Sequence, residues 1–315
     1  PLNVQPGALL ALLALVVQLL TRPRAVGRVL AHRPAWTILL TAVSIICVGL
    51  GAVSGRGLGS LAAAIDQVVG PIALFYLLGM AILDDDSAVD RIRALVLAIA
   101  AAESVLAVVQ FLRGDPIVFA DQLGQIAIVR QESNRWMGSF DHPLVLSFYL
   151  VIALFLLAGV RRWWLVALLA TAMVAGIVVT QSRVGVGFGT IALVYLLVRS
   201  PMSRFGKGVL VGLITLGVVL AVREGVLDLV LDRLRDDRGS SSARSLAYSY
   251  FVDNARDFIW LGEGLNGSFA VSTDAGLPSS FESALLMYAI DIGLVAALMY
   301  FGVMVAIMVR MREDA

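Results

Sequence analysis

Three arginines stand at the edges of long apolar runs, where a charge is costly to retain. The stretch VVTQSRVGVGFG, residues 178–189, carries a single charge, Arg183, and IVRQESNRWMGSFDHP carries Arg130 and Arg135 ahead of a Gly-Ser turn. An arginine stays protonated at any relevant pH, and its fork offers paired hydrogen bonds to a phosphate. These residues therefore predict an anion site at the edge of the apolar phase. For Arg135 the alternative is an interfacial anchor shared with Trp136.

A fourth arginine and a glutamate extend this chemistry further along the chain. A serine run before a periodic apolar segment predicts a helix over about 243–260, with Arg244 in its first turn. An arginine there opposes the helix dipole unless an anion is also present, which favours a binding role. Glu282 stands where the chain re-enters an apolar run. A partly desolvated carboxylate can accept a proton from a hydroxyl, although an acid that simply favours the helix dipole is the alternative.

Four more polar residues are candidates for the lining of a cavity or for contact with an acceptor. They are Asp141, His142, Glu103 and Asp291. Glu103 has the alternative of a structural ion pair with Arg183, and Asp291 that of a residue at a helix bend. Gly185 and Gly189, four residues apart, predict close packing of the helix that follows Arg183, so that this helix lies inside a bundle.

Two motifs suggest nucleotide chemistry that the rest of the sequence does not favour. Gly262, Gly264 and Gly267 satisfy G-x-G-x-x-G, but no strand precedes them, so we interpret them as a tight turn beneath a substrate. The run DDD at 84–86 contains an Asp-x-Asp spacing that suits a metal-bound nucleotide sugar. It falls in a short turn beside basic residues, and we interpret it as solvated. We expect no metal site.

The composition predicts an all-α polytopic membrane protein. Of 315 residues, 59% are hydrophobic and 15% charged, and the mean hydropathy is +0.90. The net charge of +1 gives no general attraction to nucleic acid. A single cysteine, Cys47, excludes an intrachain disulfide framework.

Apolar runs of membrane-crossing length predict about nine transmembrane helices. We place them near 7–21, 36–53, 67–83, 94–112, 143–160, 163–180, 184–199, 208–222 and 283–309. Arginines concentrate in the short loops on one side, which is therefore cytoplasmic. We see no signal peptide at the start, and nine spans fit a further helix upstream.

This topology predicts one transmembrane domain over 1–315 with two outward-facing loops, 113–142 and 223–281. In the second loop, apolar residues of 225–239 fall on one helical face, so this segment is expected to lie flat on the outer leaflet. The charged residues that could do chemistry then gather at the outer face.

The ordered motifs resemble those of the bacterial O-antigen ligase and polysaccharide polymerase family. RWMGSFDHP, TQSRVG, the arginine-headed helix that ends in GEGLNGSF, and ESALLMYAIDIGL are similar to the family's segments over about residues 130–300. The resemblance implies a GT-C-like bundle in the cytoplasmic membrane, with its active site facing the periplasm or the cell exterior. It also implies glycosyl transfer from an undecaprenyl-diphosphate-linked glycan, without a metal or other cofactor, to an acceptor glycan or lipid.

On this basis we expect Arg183, Arg135 and Arg244, assisted by Arg130, to hold the diphosphate. A leaving lipid diphosphate gains negative charge, which fixed cations can stabilise. Glu282 is then the base that deprotonates the acceptor hydroxyl. The family's ligases usually have His-Asn where this chain has Glu282-Ser283, which favours a repeat-unit polymerase over a ligase.

Two interpretations from other classes remain open. A transporter or flippase for lipid-linked glycans requires ionisable groups at broken helices near the membrane midplane, where Glu103 and Asp291 are the candidates. A scaffold or receptor without catalytic activity would have no pocket among its arginines.

Overall fold

A computed structural model describes residues 4–32, 34–53, 58–120, 135–223, 240–277, 281 and 283–313. Throughout these residues the regular secondary structure is helical. The helices are α1 (Pro6–Thr21), α2 (Pro23–His32), α3 (Pro34–Val53), α4 (Leu58–Ala64), α5 (Gly70–Asp84), α6 (Ala88–Arg113), α7 (Pro143–Leu156), α8 (Trp163–Val179), α9 (Arg183–Arg199), α10 (Arg204–Arg223), α11 (Ser240–Asp253), α12 (Gly267–Asp274), α13 (Ala284–Ile292) and α14 (Leu294–Glu313). The all-α prediction is confirmed for this part of the chain.

Among the residues that the structure describes, three helical stretches are long and apolar enough to cross a membrane: Pro34–Val53, Leu58–Asp84 and Ala88–Arg113. A fourth is obtained if α1 and α2, which are bent by 111°, count as one span. Shorter apolar helices cover Pro143–Gly159, Trp163–Val179 and Leu294–Ile307. The chain is thus a helical membrane protein, and the predicted number of nine spans stays a prediction.

The chain divides into two compact units. The first comprises Pro1–Ala88 and Arg238–Ala315, and the second comprises Val89–Asp237. In the first unit, α3 and the π-helical turn Ile65–Val69 share an apolar core with α11, α13 and α14. In the second, α6 to α10 share a separate core.

The glycine spacing in α9 produces the predicted close packing on one face. A Cβ added to Gly185 would lie 2.5 Å from the Cβ of Ser147 on α7, and one added to Gly189 would lie 3.2 Å from Ile177 on α8. The opposite face exposes Val184, Phe188 and other apolar side chains. Within the described part of the chain, helix α9 thus packs through its glycine face, and its other face is exposed and apolar, which suits lipid.

The helix that carries Arg244 begins earlier than the sequence indicates. Helix α11 starts at Ser240 and ends at Asp253, followed by a 3₁₀ turn at Ala255–Phe258. Arg244 therefore lies one turn inside the helix, not in its first turn, and its side chain is exposed. The argument that it opposes the dipole of the first turn is weakened accordingly.

Candidate functional site

The turn between α8 and α9 presents Arg183 at the start of a helix. Gln181 adopts a left-handed backbone with φ of 49°, and the hydroxyl of Thr180 donates to Ile177 O at 2.7 Å. Ser182 is the N-cap of α9, since its hydroxyl accepts from Gly185 N–H at 3.0 Å. This local chemistry makes Arg183 the first residue of α9, with its backbone direction fixed by the cap.

Arg135 is brought to the same turn from a distant part of the chain. Its Nε donates to the carbonyl oxygen of Thr180 at 3.1 Å, and the N–H of Trp136 donates to Val179 O at 3.2 Å. Both acceptors lie at the end of α8, where backbone carbonyls have no intrahelical partner. Arg135 thus contacts the turn that leads into Arg183, another of the arginines predicted from the sequence.

Trp136 does not act as an interfacial anchor. Its side chain is only 7% exposed and belongs to the apolar core of the second unit. This burial contradicts a lipid-facing anchor at Trp136, whereas the depth of Arg135 in the membrane stays a prediction. Arg135 itself is partly buried.

The Gly-Ser turn that follows Trp136 is held by two polar side chains of α6. The Gln110 side chain donates from Nε2 to Gly138 O at 2.9 Å and accepts from Gly138 N–H at 3.0 Å. Glu103 accepts from the N–H of Ser139 at 2.8 Å and from its hydroxyl at 2.6 Å. Among the described residues these are the bonds of the Glu103 carboxylate, so its contact is with Ser139 and not with Arg183.

Sequence inspection missed Gln110, although a signal was present. Gln110 and Glu103 are seven residues apart in an apolar helix, which places them on one face, two turns apart. Gln110 is 1% exposed. A buried amide requires hydrogen-bond partners, so its presence in an apolar run points to a polar contact from elsewhere in the chain.

Replacing Gly138 by alanine is expected to destabilise the protein more than the same change at Gly114. Both glycines have a positive φ, 63° and 76°, where alanine costs about 1 kcal/mol. A Cβ added at Gly138 would collide with Oε2 of Glu103, whereas a Cβ added at Gly114 would have no neighbouring atom of the described residues within 4 Å. Displacing Glu103 from Ser139 adds about 1–3 kcal/mol. Thermal unfolding of both purified variants measures the difference. Equal destabilisation would contradict the role of Glu103 in holding the turn at Gly138 and Ser139.

His142 and Asp141 close this segment at the start of α7. The imidazole Nδ1 of His142 accepts from Leu144 N–H at 3.0 Å, which makes His142 the N-cap of the helix that begins at Pro143. Asp141 is exposed. His142 thus has a structural bond of its own, and a further role for either residue in binding an acceptor stays a prediction.

In the first unit, the glycine-rich segment 259–268 docks on a helix break. Helix α13 ends at Ile292 and α14 starts at Leu294, with Gly293 between them at φ of 92°. The N–H of Glu263 donates to Ile290 O at 2.8 Å, and the N–H of Gly264 donates to Asp291 O at 2.9 Å. These bonds satisfy carbonyls that a helix end leaves without partners.

The side chain of Asp291 also contacts the glycine-rich segment, because it caps the start of α12. Its two carboxylate oxygens accept from Asn266 N–H at 3.2 Å and from Ser268 N–H at 2.7 Å. Gly262 has no room for a side chain, because a Cβ there would collide with the backbone of residues 290 and 291. The expected tight turn is present, with Gly264 at φ of 85°. This turn packs against the helix break at Asp291.

We expect Asp291→Asn to lower the stability of the protein. An asparagine offers one acceptor oxygen where the carboxylate uses two, so the backbone N–H of either Asn266 or Ser268 loses its acceptor. The expected loss is about 1–3 kcal/mol, measured by thermal unfolding. Asp274→Asn, at the exposed end of the same helix α12, is the control and should change stability by less than about 0.5 kcal/mol. Similar values for both variants would refute the capping role.

The remaining predicted residues are less completely positioned. Arg130, Glu282 and the amphipathic segment 225–239 lie outside the described residues. Phe281, which precedes Glu282 in the sequence, is fully buried, and its ring centroid lies 5.8 Å from that of Tyr250 on α11, the helix that carries Arg244. The residue next to the predicted base therefore packs on the helix of one predicted cation.

Residues 168–301 match the family model described as O-antigen ligase. This match supports an assignment to the O-antigen ligase and polymerase family and confirms the resemblance drawn from the motifs. The matched range includes Arg183, Arg244, Glu282 and Asp291. No curated protein and no solved structure gives a match.

Proposed function

We propose that the protein polymerises undecaprenyl-diphosphate-linked oligosaccharide repeat units on the outer face of a bacterial cytoplasmic membrane. The family assignment supports processing of a lipid-linked glycan in a membrane. The single observation that carries the proposal is the hydrogen bond of Arg135 to Thr180 O, in the turn between α8 and α9 that leads into Arg183. We further propose that the helices form a GT-C-like bundle.

In the proposed reaction, the bond between the anomeric carbon of the donor glycan and the diphosphate oxygen breaks. A new bond forms from that carbon to a hydroxyl oxygen of the acceptor, and the hydroxyl proton passes to Glu282. The lipid diphosphate leaves with an additional negative charge. Arg135 and Arg183 stabilise it, because preorganised cations act most strongly where charge develops during the reaction. Arg244 and Arg130 are proposed as further ligands of the diphosphate.

The choice of polymerase over ligase depends on one position. Glu282-Ser283 stands where the resemblance leads us to expect His-Asn in a ligase. A glutamate can accept the same proton, but the difference favours an acceptor of another kind, namely a second repeat unit still attached to its lipid carrier.

Transport is the competing function, and it makes different use of Glu103 and Asp291. Asp291 does stand at a helix break, as a transporter would require. However, both of its carboxylate oxygens are bonded to the amides of the 266–268 segment, and the carboxylate of Glu103 is bonded to Ser139. These bonds explain both carboxylates as parts of the fold, which favours the transferase.

A transfer assay separates these functions. The full chain in lipid nanodiscs would be incubated with lipid-linked glycan purified from the membranes of the source cells. A polymerase produces a ladder of longer lipid-linked chains, whereas a ligase transfers the glycan from its lipid carrier to an added second acceptor and makes no such ladder. A flippase leaves the glycan at its original size, and that result would overturn the proposal.

A further inference from the structure

Two polar side chains of α6 form one face that contacts the segment before α7. Glu103 and Gln110 lie two helical turns apart. Gln110 is buried and Glu103 is half-buried. Buried polar groups in an apolar helix are tolerated when their hydrogen-bonding capacity is used. Here both terminal polar atoms of Gln110, and both carboxylate oxygens of Glu103, form hydrogen bonds.

The side-chain types match the groups that they hold. Gly138 presents a backbone donor and a backbone acceptor, and the Gln110 amide is the complement because it both donates and accepts. Ser139 presents two donors, its N–H and its hydroxyl, and the Glu103 carboxylate offers two acceptors. Gly138 itself has no Cβ that would displace the carboxylate.

The same segment is fixed at its other end to the α8–α9 turn. Arg135 donates to Thr180 O and Trp136 N–H donates to Val179 O. Arg135 is only three residues before Gly138, so two sets of hydrogen bonds leave the chain between them little freedom. The cation is thus held in place by backbone and side-chain bonds on both sides.

We propose that Gln110 and Glu103 are positioning residues that hold Arg135 at the α8–α9 turn for the diphosphate of the lipid-linked donor. The inference rests on the proposed function, since it assumes that Arg135 contacts the diphosphate. A cation that is already held in position loses less conformational entropy when the ligand binds, which increases affinity. The role of α6 is therefore to preorganise a cation that belongs to another segment.

The test measures the affinity of undecaprenyl diphosphate for the full chain in lipid nanodiscs. Gln110→Met keeps the side-chain volume but removes both bonds to Gly138, and we expect roughly tenfold weaker binding from the misplaced cation. Glu103→Leu should act alike and serves as a second variant if Gln110→Met fails to fold. Glu103→Gln keeps an oxygen and an N–H for Ser139, so its affinity should stay within about threefold of wild type.

Ser104→Ala is the matched control on the same helix. Its hydroxyl bonds the carbonyl of Ala100 within α6 and is buried, so its loss should leave the affinity for undecaprenyl diphosphate unchanged. An effect as large as that of Gln110→Met would indicate general disturbance of α6 and overturn the proposal.

A double-mutant cycle with Arg135→Lys separates positioning from an independent effect. If Gln110 acts through Arg135, Gln110→Met weakens the affinity for undecaprenyl diphosphate in the wild-type background. In the Arg135→Lys background it should weaken that affinity by less than about a further twofold. Fully additive losses would overturn the positioning role while leaving the proposed function intact. If Arg135→Lys alone leaves the affinity unchanged, both the role of Arg135 in the proposed function and this inference are wrong.

Discussion

Replacing Arg183 by lysine is expected to lower the rate of glycan transfer about 100-fold, the effect typical of removing one group that stabilises developing charge. Lysine keeps the charge but lacks the planar fork that forms paired hydrogen bonds to a phosphate. The Ser182 cap fixes the start of α9, so the backbone position of Arg183 is defined. A compact ammonium group on the same backbone presents its donors differently.

The matched control lies at the other end of the same helix. Arg199 is the last residue of α9 and is exposed, about 24 Å from Arg183 along the helix axis. Arg199→Lys should transfer glycan at the wild-type rate in the ladder assay. Equal losses in both variants would show that lysine substitution disturbs α9 as a whole, and unchanged transfer in Arg183→Lys would remove Arg183 from the mechanism.

Glu282→Gln is expected to reduce the turnover of bound donor at least about 100-fold, because a general base typically contributes 10²–10⁴ to the rate. Glutamine has similar size and hydrogen-bonding capacity but cannot take up the acceptor proton. The affinity for undecaprenyl diphosphate should change little, since the carboxylate is assigned to the acceptor side. Single-turnover measurements with lipid-linked donor, together with binding measurements, separate the two effects.

Two further variants sharpen this result. Glu282→His restores a proton acceptor of the type that the resemblance leads us to expect in ligases, so it should retain more activity than Glu282→Gln. Asp274→Asn, an exposed acid of the same unit, should be fully active. A Glu282→Gln protein with near-normal turnover would exclude this residue as the base.

Helix boundaries could be predicted well wherever a local signal marks them. Pro143 fixes the start of α7, and Ser182 marks the start of α9, because proline at the first position and serine at the N-cap act within one turn. The bend between α1 and α2 was not predicted. The predicted spans leave 22–35 as a connection rich in arginine, whereas Pro23 begins a separate amphipathic helix with Val26 buried.

The contacts that build the candidate site could be predicted only in part. The arginines were identified by the cost of placing charge beside apolar runs, a property of composition. The bonds of Gln110 to Gly138 and of Asp291 to residues 266 and 268 join positions 23 to 28 residues apart. No local pattern encodes such pairings, because they depend on how the helices pack. The helix bend at Asp291 could therefore be predicted, whereas the capping of α12 by its carboxylate could not.

The central claim is that Arg135 and Arg183 together bind the diphosphate of a lipid-linked glycan. Its most direct test is the dissociation constant of undecaprenyl diphosphate, measured for wild type, Arg135→Lys, Arg183→Lys and the control Arg199→Lys. Undecaprenol, which lacks the phosphates, serves as the ligand control. The account predicts roughly tenfold or greater weakening in the first two variants, with wild-type affinity in the third. Unchanged affinity in both of the first two variants, or equal binding of undecaprenol, would contradict it.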